Sequence, residues 1–210
     1  MPNFVYTNVV FEEMNDAARD RWLSMMKRVR KGDDIAHGHM WMGDLWVDGK
    51  EGSPTYEQTE KYEWTLDNVG PKWTYFEDID ENGFQSQSAW HWPEDGLEWL
   101  LAELSKHDPE MITTVCYEDE MPNFYGVNVY EGNELVDGFE DDHDELMERI
   151  MAQYPELKGK WDEEEGEWAD EESEQLFTEV IWEVMGDSQW DLIQSTIDII
   201  NDAKKIEKSL

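Results

Sequence analysis

The chain has 210 residues, with 52 Asp and Glu against 16 Lys and Arg, a formal net charge of −36. That field repels nucleic acid and anionic lipid, so direct binding to either is excluded, while basic proteins are attracted. With 39% hydrophobic residues, 13% aromatics and 12 Trp, the composition also excludes a wholly disordered polyanion, because aromatics bury the area that drives a core.

Residues 4–11, FVYTNVVF, are β-branched and aromatic and predict a strand. Asn15 is placed to cap a helix over DAARDRWLSMMKRVRKG, with Ala18, Trp22, Met25 and Met26 at helical spacing and Gly32 to end it. Residues 32–60 contain Gly32, Gly38, Gly43, Gly49, Gly52 and Pro54 and read as an irregular excursion with one short strand in MWMGDLWVDG. Residues 61–67 read as extended. KWTYFEDIDENGFQSQSAW alternates on both sides of Asn82-Gly83 and predicts a hairpin. In PEDGLEWLLAELSKHDP, Leu97, Leu100, Leu101 and Leu104 share one helical face, and Pro109 lies beyond its end. MITTVCYED and FYGVNVYEGNELV follow as two more strands.

After residue 137 the chain changes character. DDHDELMERIMAQYPEL predicts a helix with Leu146, Ile150 and Met151 inward. EQLFTEVIWEVMGD predicts another, with Phe177, Val180, Ile181 and Val184 inward and Gly186 as its end. SQWDLIQSTIDIINDAKKIEK predicts a third through Ile193, Ile197 and Ile200. The expected organisation is an α+β domain over residues 1–137 and an acidic helical extension over residues 138–210.

Several short motifs have a chemical reading and a plainer one. DIDENG, residues 78–83, opens like a calcium loop, but the twelfth position is Ala89, where that loop needs a bidentate carboxylate, so a hairpin turn is expected. The imidazoles of His37 and His39 and the run DDHDE lack the partner spacing of a zinc or two-metal site. Cys116 is the only cysteine and sits in an apolar run, which suits a small buried hydrophobe. Of the indoles, Trp22, Trp99 and Trp182 fall near apolar helical faces, and Trp90 alternates with Trp92 on the predicted strand, so core packing is expected for most. No phosphate-binding glycine loop and no nucleophile–base pair stands out. The expectation is no catalytic residue, no cofactor and no resident metal. The opening MPNFVYTNVVF lacks the basic flank and apolar core of a secretory signal, so a cytoplasmic protein is expected.

The chain also resembles a family of phage and plasmid proteins with the YubB-type ferredoxin-like domain. MPNFVYTNVVF is similar to the family's start, DNVGPKW to its Asn-x-Gly-x-Lys-Trp element, SAWHWPEDGLEWLLAEL to its strand, Trp, Pro and helix run, and YEDEMPNFYGVNVYEGNELVD to its Tyr-x-Glu, Phe-x-Gly ending. The resemblance spans residues 1–137. It implies a ferredoxin-like antiparallel sheet backed by helices and a phage or mobile-element origin, and brings no catalytic residue. The segment 32–60 and the acidic C-terminal part depart from the family.

The charge is concentrated. Residues 32–203 hold 47 acidic and 7 basic groups. Its densest run is WDEEEGEWADEESEQLF, and the candidate binding residues begin there: Asp162, Glu163, Glu164, Glu165, Glu167, Asp170, Glu171, Glu172 and Glu174. They continue along the predicted helices as Glu179, Glu183, Asp187, Asp191, Asp198 and Asp202. A net charge of about −2 to −8 already keeps a small domain soluble. The excess implies a surface that stands in for nucleic-acid phosphates before a basic, nucleic-acid-binding host protein of a defence, restriction, CRISPR, repair or transcription system. The alternatives are an accessory module that binds a basic partner through Trp and Tyr without such mimicry, and a merely solvated face. The apolar stripe of the last helices is also compatible with a homodimer.

Overall fold

The structure is a computed structural model that describes residues 3–162, 167–207 and 209. Its elements run β1 (Phe4–Glu13), α1 (Asp16–Met26), β2 (Met40–Trp41), α2 (Tyr56–Thr59), α3 (Tyr62–Asn68), β3 (Tyr75–Asp80), β4 (Gly83–Ala89), α4 (Glu94–Ser105) and β5 (Ile112–Asp119). Then come β6 (Phe124–Glu131), β7 (Glu134–Asp142), α5 (His143–Gln153), β8 (Trp161–Asp162), β9 (Glu167–Trp168) and α6 (Glu171–Glu207). The protein is α+β. Its main sheet has the order β2-β3-β4-β1-β5-β6-β7, and every neighbouring pair is antiparallel.

Strand alternation assigns the two faces. Val5, Val9 and Phe11 of β1 turn inward with Val115 and Tyr117 of β5, under Trp22 and Met25 of α1 and the four leucines of α4. The opposite face of β5 and β6 presents Ile112, Val127 and Val129 to Ile193 and Ile200 of α6. Farther along that face, Tyr125 meets Leu146 and Ile150 of α5 and Val180, Ile181, Val184 and Met185 of α6. The helices thus cover different halves of the sheet from opposite sides.

Local chemistry explains most boundaries. Asn15 caps α1, its Oδ1 accepting from the Ala18 amide at 3.0 Å. α1 stops at Met26 rather than near Gly32, because the chain is drawn off by its own arginines. The Arg28 guanidinium donates to the Leu45 carbonyl at 2.7 Å, and Arg30 donates to both oxygens of Asp44 at 3.0 Å. Asp44 is fully buried and also accepts from Thr59 Oγ1 at 3.3 Å. This network anchors the excursion 32–60, where only Met40–Trp41 is strand and Met42–Trp46 forms a tight 3-10 turn.

Of residues 61–67 only Lys61, the N-cap, is extended. Residues 62–67 fall in α3, which with its C-cap Val69 turns Trp64, Thr65, Asn68 and Val69 inward at helical spacing. Trp64 meets Trp46 edge-on at 5.6 Å, and Trp46 stacks on Trp99 of α4 at 3.9 Å. FYGVNVYEGNELV is likewise two strands, β6 and the start of β7, turning at Gly132 with φ 61°. The division expected at residue 137 falls inside β7.

The hairpin expected at Asn82-Gly83 is present as β3–β4. Asp80 Oδ1 accepts from the amides of Asn82 and Gly83 at 2.7 and 3.1 Å, so its carboxylate serves the turn. A Cβ at Gly83 would come within 1.9 Å of the Val9 carbonyl oxygen, so only glycine lets β4 pair this closely with β1. Asp142 and Glu145 form a capping box that starts α5 out of DDHDE.

Candidate docking surface on the C-terminal helix

α6 is one continuous helix of 37 residues, about 55 Å long at 1.5 Å per residue. The expected break at Gly186 does not occur. Val180, Ile181, Val184, Met185, Gln189, Ile193, Thr196 and Ile200 are buried and share one side of the helix, so the inward stripe passes Gly186 without interruption. Gly186 itself faces outward, and a Cβ there would meet nothing within 4 Å.

Polar contacts fix the helix on the sheet. Gln189 Nε2 donates to the Gly126 carbonyl at 2.9 Å, and Thr196 Oγ1 donates to Asp137 at 3.3 Å. Lys204 Nζ reaches the Glu110 carbonyl at 3.0 Å and the Glu131 carboxylate at 2.8 Å. At the other end, Asp170 accepts from the Ser173 amide at 2.9 Å and from Lys160 at 2.6 Å. Those hydrogen bonds hold the Asp170 carboxyl at about 2, with Lys160 the larger cause. Glu171, Glu172 and Glu174 in the first turn and Lys204 and Lys205 in the last both suit the helix dipole.

The outward side carries the candidate residues. Glu179, Glu183, Asp187 and Asp191 are exposed at consecutive intervals of four, so they form one ridge with about 6 Å of rise per step. Asp198 and Asp202 are exposed on the adjacent ridge, which also carries Trp182, Gly186 and Trp190. Among the described residues, Glu171, Glu172, Glu174, Glu179, Glu183, Asp187, Asp191 and Asp198 have no ion pair. Two predicted members are already spent, Asp170 on Lys160 and Asp202 on Lys205 at 2.8 Å. Asp162 and Glu167 are exposed and face each other across the β8–β9 pair, apart from the ladder in sequence. Glu163, Glu164 and Glu165 lie outside the described residues.

Sequence reasoning missed the aromatics beside the ladder. Trp182 is 47% and Trp190 60% exposed, although Trp182 was expected on the apolar side. The signal was available: with Val180, Ile181 and Val184 inward, a residue at 182 points away from them. Gly186 sits midway between the two indoles on their ridge and leaves a notch. The Tyr154 hydroxyl borders the same surface. Burial raises its pKa, and the neighbouring Glu183 and Asp187 raise it further.

Chemically, the ridge is a row of carboxylate acceptors suited to guanidinium and ammonium donors, with Glu179 also accepting from Gln175 Nε2 at 3.2 Å and Glu183 from the Tyr154 hydroxyl. One row is sparser than duplex DNA, which carries a charge about every 1.7 Å of axis, so the first-turn acids and the second ridge must contribute to any imitation. Other sites offer less. Cys116 is half-buried against the Ile112–Val127 cluster, and burial pushes its thiol up to about 12. Among the described residues no three His, Cys, Asp or Glu side chains are grouped to hold a metal ion, and no helix is long and apolar enough to cross a membrane. No family model, no curated protein and no solved structure matches the chain.

Proposed function

We propose that this chain is a phage-encoded acidic protein that imitates nucleic acid and blocks the basic nucleic-acid-binding channel of a host protein. The observation that carries the reading is the row Glu179, Glu183, Asp187 and Asp191, exposed, without ion pairs, and displayed on a helix whose other side is buried on a sheet. Rigid display matters because a flexible polyanion must lose conformational freedom on binding, and a preordered one does not. The phage origin rests on the resemblance of residues 1–137 to the YubB-type family. The order β3-β4-β1-β5, with α1 after β1 and α4 before β5, supports a ferredoxin-like core within the larger sheet.

A second reading has its own observation. Trp182 and Trp190 are exposed beside the ladder, and exposed Trp is the residue most often found as a binding anchor. A basic partner held by those indoles need not bind nucleic acid at that surface. Affinity capture from bacterial lysate, with and without excess duplex DNA, separates the two. A captured nucleic-acid-binding protein that DNA displaces, and that is no longer captured after E179Q/E183Q/D187N/D191N, supports mimicry. Capture that DNA leaves intact, and that W182A/W190A abolishes, overturns mimicry in favour of the interaction module.

A further inference from the structure

A second exposed aromatic group lies away from α6 in the sequence, at the ends of β3 and β4. Trp73 and Trp90 have φ angles of 57° and 66°. A bulky side chain in the left-handed region is an outlier that carries backbone strain. Packing does not explain the strain, because Trp73 is 43% and Trp90 52% exposed, with Tyr62 beside them 51% exposed. Each ring would be better buried, and each backbone position would be better served by glycine.

What the rings hold is informative. The Lys72 ammonium lies 4.1 Å from the Trp90 centroid, 4.5 Å from that of Trp73 and 5.6 Å from that of Tyr62. All three distances are within the range of about 6 Å at which a ring face attracts a cation. The two indoles are 6.1 Å apart and inclined by 31°. Lys72 makes no ion pair among the described residues, in a chain with 52 carboxylates. Beside it runs a groove of about 430 Å³ lined by Tyr62, Leu66, Trp90 and Trp92 with the carboxylates of Glu94 and Asp95.

We propose that Tyr62, Trp73 and Trp90 form an aromatic cage for the arginine or lysine side chain of a basic protein partner, with Lys72 as its built-in, displaceable occupant. The resident ammonium marks the point where three ring faces converge. It keeps the indoles apart while the cage waits. An incoming cation replaces it, and Glu94 and Asp95 supply the opposite charge for the segment that carries that cation. Lys72 is released to water, where its four-carbon stem regains rotamer freedom. This site does not depend on the acidic helix or on mimicry.

The test follows the indole Nε1–H signals of the ¹⁵N-labelled full chain during titration with acetyl-Gly-Arg-Gly-amide at constant ionic strength. The comparison peptide has citrulline, a neutral isostere, in place of arginine. The arginine peptide should shift the Trp73 and Trp90 signals and the citrulline peptide should not. Lys72→Ala should bind the arginine peptide about two- to fivefold tighter, because the internal competitor is gone. Trp90→Gly should lose the response without losing thermal stability, since φ 66° suits glycine. E179Q/E183Q/D187N/D191N should leave the response intact, which separates this site from the ladder. Equal shifts with citrulline, or no gain in affinity on removing Lys72, would overturn the proposal.

Discussion

Replacing Gly186 by alanine tests the continuity of α6 at its weakest residue. Glycine in a helix interior is less favourable than alanine by about 0.8–1.0 kcal/mol, because it has more backbone freedom to lose. At this position the new methyl group meets nothing within 4 Å, so no packing penalty offsets the gain. Gly186→Ala should therefore stabilise the chain by close to 1 kcal/mol, which raises Tm by about 2–4 °C in a domain of this size. The measurement is thermal unfolding followed by circular dichroism at 222 nm, checked by the urea midpoint at unchanged m-value. A helix that ended at Gly186 would hold that residue left-handed, and alanine there would destabilise it. A fall in Tm would thus refute both the continuous helix and the rigid display that depends on it. Because the methyl group fills the notch between Trp182 and Trp190, the same variant should bind more weakly to any partner that uses those indoles.

Three further outcomes follow from the structure. E179Q/E183Q/D187N/D191N removes three like-charge neighbours at i, i+4, each destabilising by about 0.2–0.5 kcal/mol, so the variant should melt higher by a few degrees at low salt, with the difference shrinking as salt rises. Asp44→Ala removes the fully buried bidentate partner of Arg30, which keeps only its ion pair to Glu60, and should cost about 1.5–3 kcal/mol, read as a drop in the urea midpoint. Cys116, with its thiol pushed by burial up to about 12, should react with iodoacetamide at pH 8 at least about tenfold more slowly than a free thiol, and at the free rate once urea unfolds the chain. The sign is that of a raised group: its contribution to stability is full below pH 9 and is lost as pH rises toward about 12.

The elements most legible in the sequence were those whose signals are local. Asn15 and its cap, the leucines of α4, Asn82-Gly83 and the β-branched and aromatic run of β1 each specify their structure within a few residues. The misread segments depend on distant partners. α3 carries Trp64, Thr65, Asn68 and Val69 at helical spacing, but over one short stretch that signal competes with a strand reading, and Trp46 and Trp99 are what reward the helix. Gly186 is a strong stop signal by itself. It is overridden because the buried stripe continues on both sides and Gln189 is tied to β6. The acidic character of the site was plain from composition, whereas its geometry was not. Which acids form a row and which are spent in ion pairs depended on helix phase and on Lys160 and Lys205. The cage at Lys72 was invisible for the same reason, since Tyr62, Trp73 and Trp90 converge only when α3 and the ends of β3 and β4 are in place.

The two sides of α6 have opposed energetics, and their balance shows how the ladder is tolerated. Three repulsive steps together cost about 1 kcal/mol. Burying a single isoleucine such as Ile193 returns about 1.5–3 kcal/mol. The sheet therefore holds the acids in a row at small expense, and a basic partner of the proposed kind would relieve the repulsion as its cations settle between them. That relief belongs to the whole row, which gives mimicry a distinctive signature. Single neutral variants at Glu179, Glu183, Asp187 and Asp191 should each weaken binding by a similar factor and each lower the dependence of affinity on salt by a similar amount. A partner that reads one acid as a specific contact would instead show one large loss and three negligible ones. Binding measured by calorimetry at several salt concentrations distinguishes these patterns, and unequal losses with an unchanged salt slope would refute the row as the recognised feature.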